Sequence, residues 1–225
     1  MSLSLEEIVP WGRTAAEYER MFRLSEVDQP RTVLDCGGGP ASFAAEWNAR
    51  GRRVIAADPL YAHPGSAIRS RFEATSASIM GSVRANPERW IWKFHNSPDE
   101  LLARRTEALN RFLDDLESAP SSGRYLVASL PHLPFPDQQF DLALVSHLLF
   151  LYSDLLSEDF HHASIFELLR VAAEVRIFPL LTLAGTPSPH VEPIIASVRR
   201  AGWQCDLIAV EYELQPGGNT MLRIH

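Results

Sequence analysis

Short aliphatic runs alternate with longer stretches of helical periodicity along most of the chain, and this alternation predicts the order of its elements. Each short run ends at a glycine, an aspartate or a polar turn, which is typical of β-strands. The predicted strands are Thr32–Asp35, Arg53–Ala57, Tyr125–Ala128, Phe140–Val145, Glu174–Leu183, Cys205–Tyr212 and Thr220–Ile224. Pro179 lies inside the fifth run, although a central strand tolerates proline poorly.

Apolar residues three and four positions apart predict helices between these strands. The clearest start signal is Ser97, an N-cap residue that is followed by Pro98 and, three residues after the serine, by Glu100. The predicted helices cover about residues 14–25, then Ala41–Arg50, Ala67–Ala85, Pro98–Ser118, Phe160–Val171 and His190–Ala201.

The alternation of strands and helices predicts a doubly wound α/β domain, in which helices cover both faces of a mostly parallel, seven-stranded sheet. The last two strands are joined by a short loop, so the sheet should end in an antiparallel C-terminal strand. We expect a single domain over residues 1–225 with an N-terminal helical cap over residues 1–29. Residues 62–123 exceed what the connection between the second and third strands needs, and they predict a helical insertion that serves as a lid or substrate region.

Composition and charge exclude several function classes. The net charge of −7 opposes nucleic-acid binding, which needs a concentrated positive field. No apolar run is long enough for a membrane helix, and the N-terminus has no secretory pattern. Two cysteines do not form a disulfide framework. We therefore expect a cytoplasmic protein that binds neither nucleic acid nor membranes.

Three consecutive glycines follow the first predicted strand, in the sequence VLDCGGGPASF at residues 33–43. In a doubly wound sheet, ligands bind outside the carboxyl ends of the strands, where the strand order reverses. Gly37, Gly38 and Gly39 would let the backbone approach a ligand closely. Asp58 ends the second strand 21 residues after Gly37, near the spacing of about 20 residues expected for an acid that binds ribose hydroxyls.

Asp35, at the mouth of this turn, favours one class of nucleotide ligand. A dinucleotide would bring a pyrophosphate to the glycines, and a carboxylate about 4 Å from a phosphate charge costs on the order of 4 kcal/mol at an effective dielectric constant near 20. The dinucleotide pattern read from Gly37 also has Ser42 in place of its last glycine. A cationic nucleoside such as S-adenosylmethionine would be attracted instead.

Two further stretches complete a family resemblance. Together with VIAADPLY at residues 54–61 and LPFPDQQFDLALVSHLLFLY at residues 133–152, the glycine turn resembles the ordered motifs of class I S-adenosylmethionine-dependent methyltransferases over roughly residues 30–225. The last stretch is similar to the LPFxDxxFD sequence of members that act on small molecules. The resemblance implies a Rossmann-like methyltransferase fold, S-adenosylmethionine as cofactor, and methyl transfer to a small-molecule acceptor.

The resemblance also implies roles for residues at matching positions. Asp35, Gly37 and Gly39 would line the methionine end of the cofactor, and Asp58 would bind the ribose hydroxyls. The residues expected around the adenine are Pro59, Leu60, Ser129 and Leu130. Ser129 and Leu130 occupy the positions where the family often has Asp-Ala. Ser129 would accept a hydrogen bond from the adenine amino group more weakly than that aspartate does, and the Leu130 N–H would donate to the adenine ring.

Arg13 and His147 are the remaining candidates. Because the N-terminal helix of related enzymes often closes over the cofactor, Arg13 would meet the methionine carboxylate; an exposed arginine near a helix start is the alternative. His147 follows the fourth strand, where the transferred methyl group would lie. It is either a general base or acceptor-orienting group, or a structural histidine bonded to the backbone. We expect no metal site.

Trp90, Trp92, Phe94 and His95 concentrate rings within the insertion. They either line a pocket for an apolar or planar acceptor or anchor the extra helices to the body of the domain. Two other functions stay open at this stage: a protein that binds the cofactor without catalysis, and a nicotinamide-dependent reductase.

Overall fold

The computed structural model describes residues 8–29, 31–118 and 122–225. The strands of these residues form one seven-stranded sheet in the order β3-β2-β1-β4-β5-β7-β6. They are β1 (Thr32–Cys36), β2 (Arg53–Ala57), β3 (Tyr125–Leu126), β4 (Leu142–Ser146), β5 (Val175–Phe178), β6 (Cys205–Ala209) and β7 (Thr220–Ile224). Strand β7 pairs antiparallel with β5 and β6, while the other pairs are parallel. The predicted doubly wound, mostly parallel sheet with an antiparallel C-terminal strand is confirmed.

Helices cover both faces of this sheet. They are α1 (Ala15–Met21), α2 (Phe43–Ala49), α3 (Gly65–Ala85), α4 (Pro98–Ser118), α5 (Glu158–Val171) and α6 (Val191–Arg200). Within the described ranges, every helix is too short or too polar to cross a bilayer.

The fifth strand is shorter than predicted. The run Glu174–Leu183 predicts a ten-residue strand, but β5 ends at Phe178, directly before Pro179. Proline has no N–H to donate to the neighbouring strand, so pairing stops there. The chain then turns, and Ser188 N–H donates to the Leu180 carbonyl. The predicted strands over Tyr125–Ala128 and Cys205–Tyr212 also end early, at Leu126 and Ala209.

The two faces of the sheet bury different side chains of the same strands. Alternate residues of a strand point to opposite faces. Leu34 and Ala143 lie in the core beneath α5 and α6, whereas Val33 and Leu142 lie in the core beneath α1 and α2. Asp35 lies on the same face of the sheet as Val33, so the Asp35 side chain points toward α1.

The long connection between β2 and β3 contains the helices α3 and α4, which pack against each other through an apolar seam. Ile68 and Phe72 of α3 contact Leu109 and Phe112 of α4 in one buried cluster. Helix α1 packs against α2 and the sheet, and a buried ion pair between Glu17 and Arg105 joins it to α4. The segment between β2 and β3 and the segment before α1 both border the carboxyl edge of the sheet.

Candidate functional site

A cavity of about 430 Å³ lies at the carboxyl ends of β1, β2 and β4, between the glycine turn and the N-terminal segment. We call it the cofactor cavity, after the ligand that the sequence predicts for it. Its volume lies within the range of small-molecule sites. The residues that the sequence singled out and that line this cavity are Arg13, Gly37, Gly38, Gly39, Asp58, Pro59, Leu60, Ser129, Leu130 and His147.

The glycine turn has a geometry that side chains would obstruct. Gly37 and Gly39 have φ angles of +71° and +59°, in the left-handed region that favours glycine. A Cβ atom on Gly37 would lie 2.4 Å from Leu148 Cδ2, and one on Gly38 would lie 2.5 Å from an Asp35 carboxylate oxygen. The turn therefore packs tightly on its inner side and presents bare backbone to the cavity.

Asp58 ties the glycine turn to the end of β2. One carboxylate oxygen accepts the Gly39 N–H at 2.9 Å and the other accepts the Leu60 N–H at 2.8 Å. Burial raises the pKa of Asp58, while these two N–H donors lower it. Each oxygen keeps lone pairs for further donors, so the carboxylate can accept ligand hydroxyls.

Asp35 is the exception among the predicted site residues. The sequence places it at the mouth of the turn, but the structure places its carboxylate behind Gly38, 1% exposed, where the Tyr18 hydroxyl donates to it at 3.0 Å. The cause is the strand alternation that directs it toward α1. Burial and, more weakly, Asp58 raise the pKa of Asp35 to about 7 against the lowering effect of Tyr18. It is a buried acid behind the turn and not a lining residue.

Two buried donors of the cavity wall have no partner among the described residues. They are the Nε of Arg13 and the Nε1 of Trp11. Arg13 also donates through Nη1 to the Trp11 carbonyl at 3.0 Å. A buried donor without a partner costs about 1–3 kcal/mol, and a carboxylate is a strong acceptor for both groups. With Asp58 as acceptor for hydroxyls, the residues present fit S-adenosylmethionine, which carries a carboxylate and a ribose.

A second, smaller cavity of about 80 Å³ adjoins the first. We call it the ring-lined cavity, because its wall includes Trp11, Trp90, Tyr152, Phe178 and Tyr212. The residues that it shares with the cofactor cavity are Val9, Trp11, Arg13 and His147. Trp90 of the predicted aromatic group thus borders a cavity, whereas His95 is fully buried.

His147 lies at the junction of the two cavities. Its φ of +54° is unusual for a residue with a side chain, and such strain is often found at functional sites. Its Nδ1 is 3.0 Å from Ser146 Oγ, and its backbone N–H donates to the Phe178 carbonyl at 2.7 Å. Burial, and then the positive charges of Arg13 and Arg105, hold the pKa of His147 well below its usual range. The imidazole is therefore neutral at pH 7 and has one nitrogen that can accept a proton.

The sequence did not predict a buried polar cluster that lies behind the ring-lined cavity. The Glu17 carboxylate accepts two hydrogen bonds from Arg105 Nη1, at 2.7 and 2.8 Å, and both side chains are fully buried. The Tyr212 hydroxyl donates to Glu17 at 3.1 Å and lies 3.1 Å from His95 Nε2. The cluster joins α1 to α4 and fixes a wall of the ring-lined cavity.

A signal for this cluster exists in the sequence. Arg105 lies four residues after Leu101 and seven before Phe112, so it occupies the apolar face of its helix. A charged residue at a core position needs a buried partner. The partner, Glu17, is 88 residues away, and nothing in the local pattern identifies it.

The chain is 30% identical over 226 residues to Uncharacterized protein MJ0045 of Methanocaldococcus jannaschii, covering 99% of this chain and 98% of that one. No family model matches the chain. The structure of the mitomycin 7-O-methyltransferase MmcR superposes with a TM-score of 0.51 at 11% identity; the match covers 94% of this chain and 53% of MmcR, about half of its length. This likeness shows that the chain has the class I methyltransferase fold.

The magnesium protoporphyrin IX methyltransferase of Synechocystis PCC 6803, whose structure contains bound S-adenosylmethionine, is also similar. It is 10% identical with a TM-score of 0.49, and the match covers 93% of this chain and 79% of that enzyme.

Proposed function

The chain belongs to the same family as the Methanocaldococcus jannaschii protein MJ0045 and has the class I methyltransferase fold, and from these premises we propose that it is an S-adenosylmethionine-dependent methyltransferase. Its acceptor is a small molecule. The observation that carries the proposal is the cofactor cavity, where Trp11 and Arg13, each with a buried donor that lacks a partner among the described residues, and the acceptor Asp58 line one space beside a glycine turn.

Different residues of the cavity bind different parts of the ligand. Arg13 and Trp11 bind the methionine carboxylate, and Asp58 accepts the ribose hydroxyls. Pro59, Leu60, Ser129 and Leu130 border the adenine. Asp35 supplies a negative charge behind the turn that attracts the cationic end of the ligand.

When bound, S-adenosylmethionine supplies a methyl group that its sulfonium already activates. The protein therefore has to orient the acceptor and exclude water. His147 meets the acceptor at the junction of the cavities. In the tautomer whose Nδ1–H donates to Ser146, Nε2 has a free lone pair that accepts a hydrogen bond from the acceptor and orients its nucleophilic atom.

Calorimetric titration tests this assignment directly. We expect S-adenosylmethionine and its demethylated product S-adenosylhomocysteine to bind at tens of micromolar or tighter, and NADH and NADPH not to bind, because Asp58 and Asp35 repel a pyrophosphate. Binding of NADH alone would favour a reductase instead. Transfer of a labelled methyl group to components of a cell extract then separates an enzyme from a protein that only binds the cofactor.

Cofactor affinity should depend on pH through Asp35. Because the pKa of this carboxyl is about 7 in the free protein, it is largely protonated at pH 6 and ionised at pH 8. A cationic ligand favours the ionised form, so binding releases a proton and strengthens as the pH rises. We expect S-adenosylmethionine to bind about fivefold more tightly at pH 8 than at pH 6.

Titrations in two buffers of different ionisation enthalpy would measure the released proton. Asp35→Asn keeps an acceptor for the Tyr18 hydroxyl but does not titrate, so the pH dependence should largely disappear in this variant. An equal pH dependence in both proteins would assign it to another group and remove Asp35 from the proposal.

A further inference from the structure

A tyrosine of α1 lies directly behind the glycine turn. The Tyr18 hydroxyl donates to the Asp35 carboxylate at 3.0 Å, and both side chains are buried. A Cβ atom on Gly38 would lie 2.8 Å from the Tyr18 oxygen and 2.5 Å from an Asp35 oxygen, so this pair supports the turn from its inner side. Phe43 stacks on the Tyr18 ring with 4.4 Å between the ring centroids. The position of the Tyr18 hydroxyl is therefore fixed by packing as well as by Asp35.

Ser146 brings a second hydroxyl to the same place. In the parallel pairing of β1 and β4, Asp35 lies opposite Leu144. Ser146 follows two residues later on β4, so its side chain points to the same face of the sheet as Asp35. There it forms a hydrogen bond with Tyr18. Burial and the charge of Asp35 raise the pKa of Tyr18 well above its usual range, whereas Arg13 and the hydrogen bond from Ser146 lower it.

Ser146 also contacts the histidine at the junction of the two cavities. Its Oγ lies 3.0 Å from Nδ1 of His147, and the serine is buried. A hydroxyl beside a neutral imidazole nitrogen either donates to it or accepts from it, and this choice decides which ring nitrogen carries the proton. The contact between Ser146 and His147 alone therefore leaves both tautomers open.

The hydrogen atoms of this row of side chains leave one arrangement. An ionised carboxylate has no hydrogen to donate, so Asp35 accepts and Tyr18 donates. The single hydrogen of the Tyr18 hydroxyl is then engaged, and its oxygen accepts from Ser146. The Ser146 hydrogen is engaged in turn, and its oxygen accepts Nδ1–H of His147. Nε2 of His147 is left with the free lone pair.

We propose, building on the proposed function, that Tyr18 and Ser146 are positioning residues that fix the tautomer of His147. The buried chain runs from Asp35 through two hydroxyls to the imidazole, and it keeps the Nε2 lone pair available to the O–H, N–H or S–H of the acceptor. The opposite tautomer would present a donor at this point. Because Asp35 lies behind the glycine turn, the chain also connects the cofactor cavity with the group that orients the acceptor.

Nitrogen-15 NMR of the histidine rings measures the tautomer directly. The experiment uses the full chain labelled with ring-labelled histidine, without ligand, at pH 8, where the Asp35 carboxyl with its pKa of about 7 is largely ionised. We expect His147 to have a protonated Nδ1 and an unprotonated Nε2. A spectrum of His147→Gln identifies the signals of this residue by their absence.

Two variants interrupt the chain at different links. Tyr18→Phe removes the hydroxyl that directs Ser146, and Ser146→Ala removes the partner of Nδ1. In both variants we expect the Nε2 signal of His147 to move from that of an unprotonated nitrogen toward that of a protonated one. Tyr125→Phe is the matched control: its hydroxyl also donates to an aspartate, Asp115 at 2.7 Å, but Tyr125 lines neither cavity. It should leave the signals of His147 unchanged.

Thermal unfolding of each variant checks that the fold persists. A proton on Nε2 of His147 in the unaltered protein would overturn the proposal, and so would a folded Tyr18→Phe or Ser146→Ala protein that keeps the original tautomer. Because the tautomer is measured without ligand, this result is independent of the proposed function, which fails if S-adenosylhomocysteine does not bind.

Discussion

Replacing Glu17 by leucine is expected to lower the free energy of unfolding by about 3–5 kcal/mol, because the change leaves the Arg105 guanidinium as an unpaired charge in the interior. Both side chains are fully buried. Burial alone would raise the pKa of Glu17, but Arg105 and the hydrogen bond from His95 hold it well below its usual range. The carboxylate is thus ionised and fully engaged at neutral pH. Urea unfolding followed by circular dichroism measures the loss.

A double-mutant cycle distinguishes the ion pair from simple packing. Arg105→Met alone should also destabilise the protein, whereas Glu17→Leu combined with Arg105→Met should be more stable than either single variant, since no charge is then left unpaired. The double variant still lacks the acceptor that Glu17 offers to the Thr14 N–H, which costs about 1 kcal/mol.

The exposed pair of Glu107 and Arg111 on α4 provides a matched control. Glu107→Leu makes the same substitution at an exposed position of α4 and should change the free energy of unfolding by less than about 1 kcal/mol. Additive effects of the two buried substitutions would contradict the pairing.

The order of strands and helices, and most residues that line the cofactor cavity, could be predicted from the sequence for a simple reason. Parallel strands meet at one edge of the sheet, so residues directly after different strands, such as Gly37, Asp58 and His147, come together without any knowledge of long-range contacts. The shared edge of parallel strands does not predict which face of the sheet a side chain points to. The interpretation of Asp35 considered its charge and its place beside the turn, but not the alternation that points it away from the cavity.

The remaining features depend on contacts that the local pattern does not specify. Trp11 borders the cavity only because the segment before α1 folds over the strand ends, and Trp11 itself resembles any other aromatic residue of a loop. Tyr212 was expected to end a strand, yet it lies beyond β6 and joins the buried cluster. Its position is set by the partners Glu17 and Arg105, which are 195 and 107 residues away.

Replacing Asp58 by alanine is expected to weaken binding of S-adenosylhomocysteine at least about tenfold, which corresponds to about 1.4 kcal/mol. A hydrogen bond to a charged acceptor contributes about 1.5–3 kcal/mol, and the ribose offers two hydroxyls. Asp58 also accepts the Gly39 N–H, so its loss frees the glycine turn that the ligand contacts. Calorimetric titration measures the change.

Two companion variants identify the cause of that loss. Asp114→Ala removes an exposed carboxylate of α4 that does not line the cavity, and it should leave the affinity unchanged. Asp58→Asn keeps one acceptor oxygen and should bind with an intermediate affinity. Because the Leu60 N–H also loses its partner in Asp58→Ala, thermal unfolding of each variant checks that the fold persists. A folded Asp58→Ala protein that binds as tightly as the original would show that the ribose does not lie at the end of β2, and the orientation of the cofactor proposed for this cavity would be wrong.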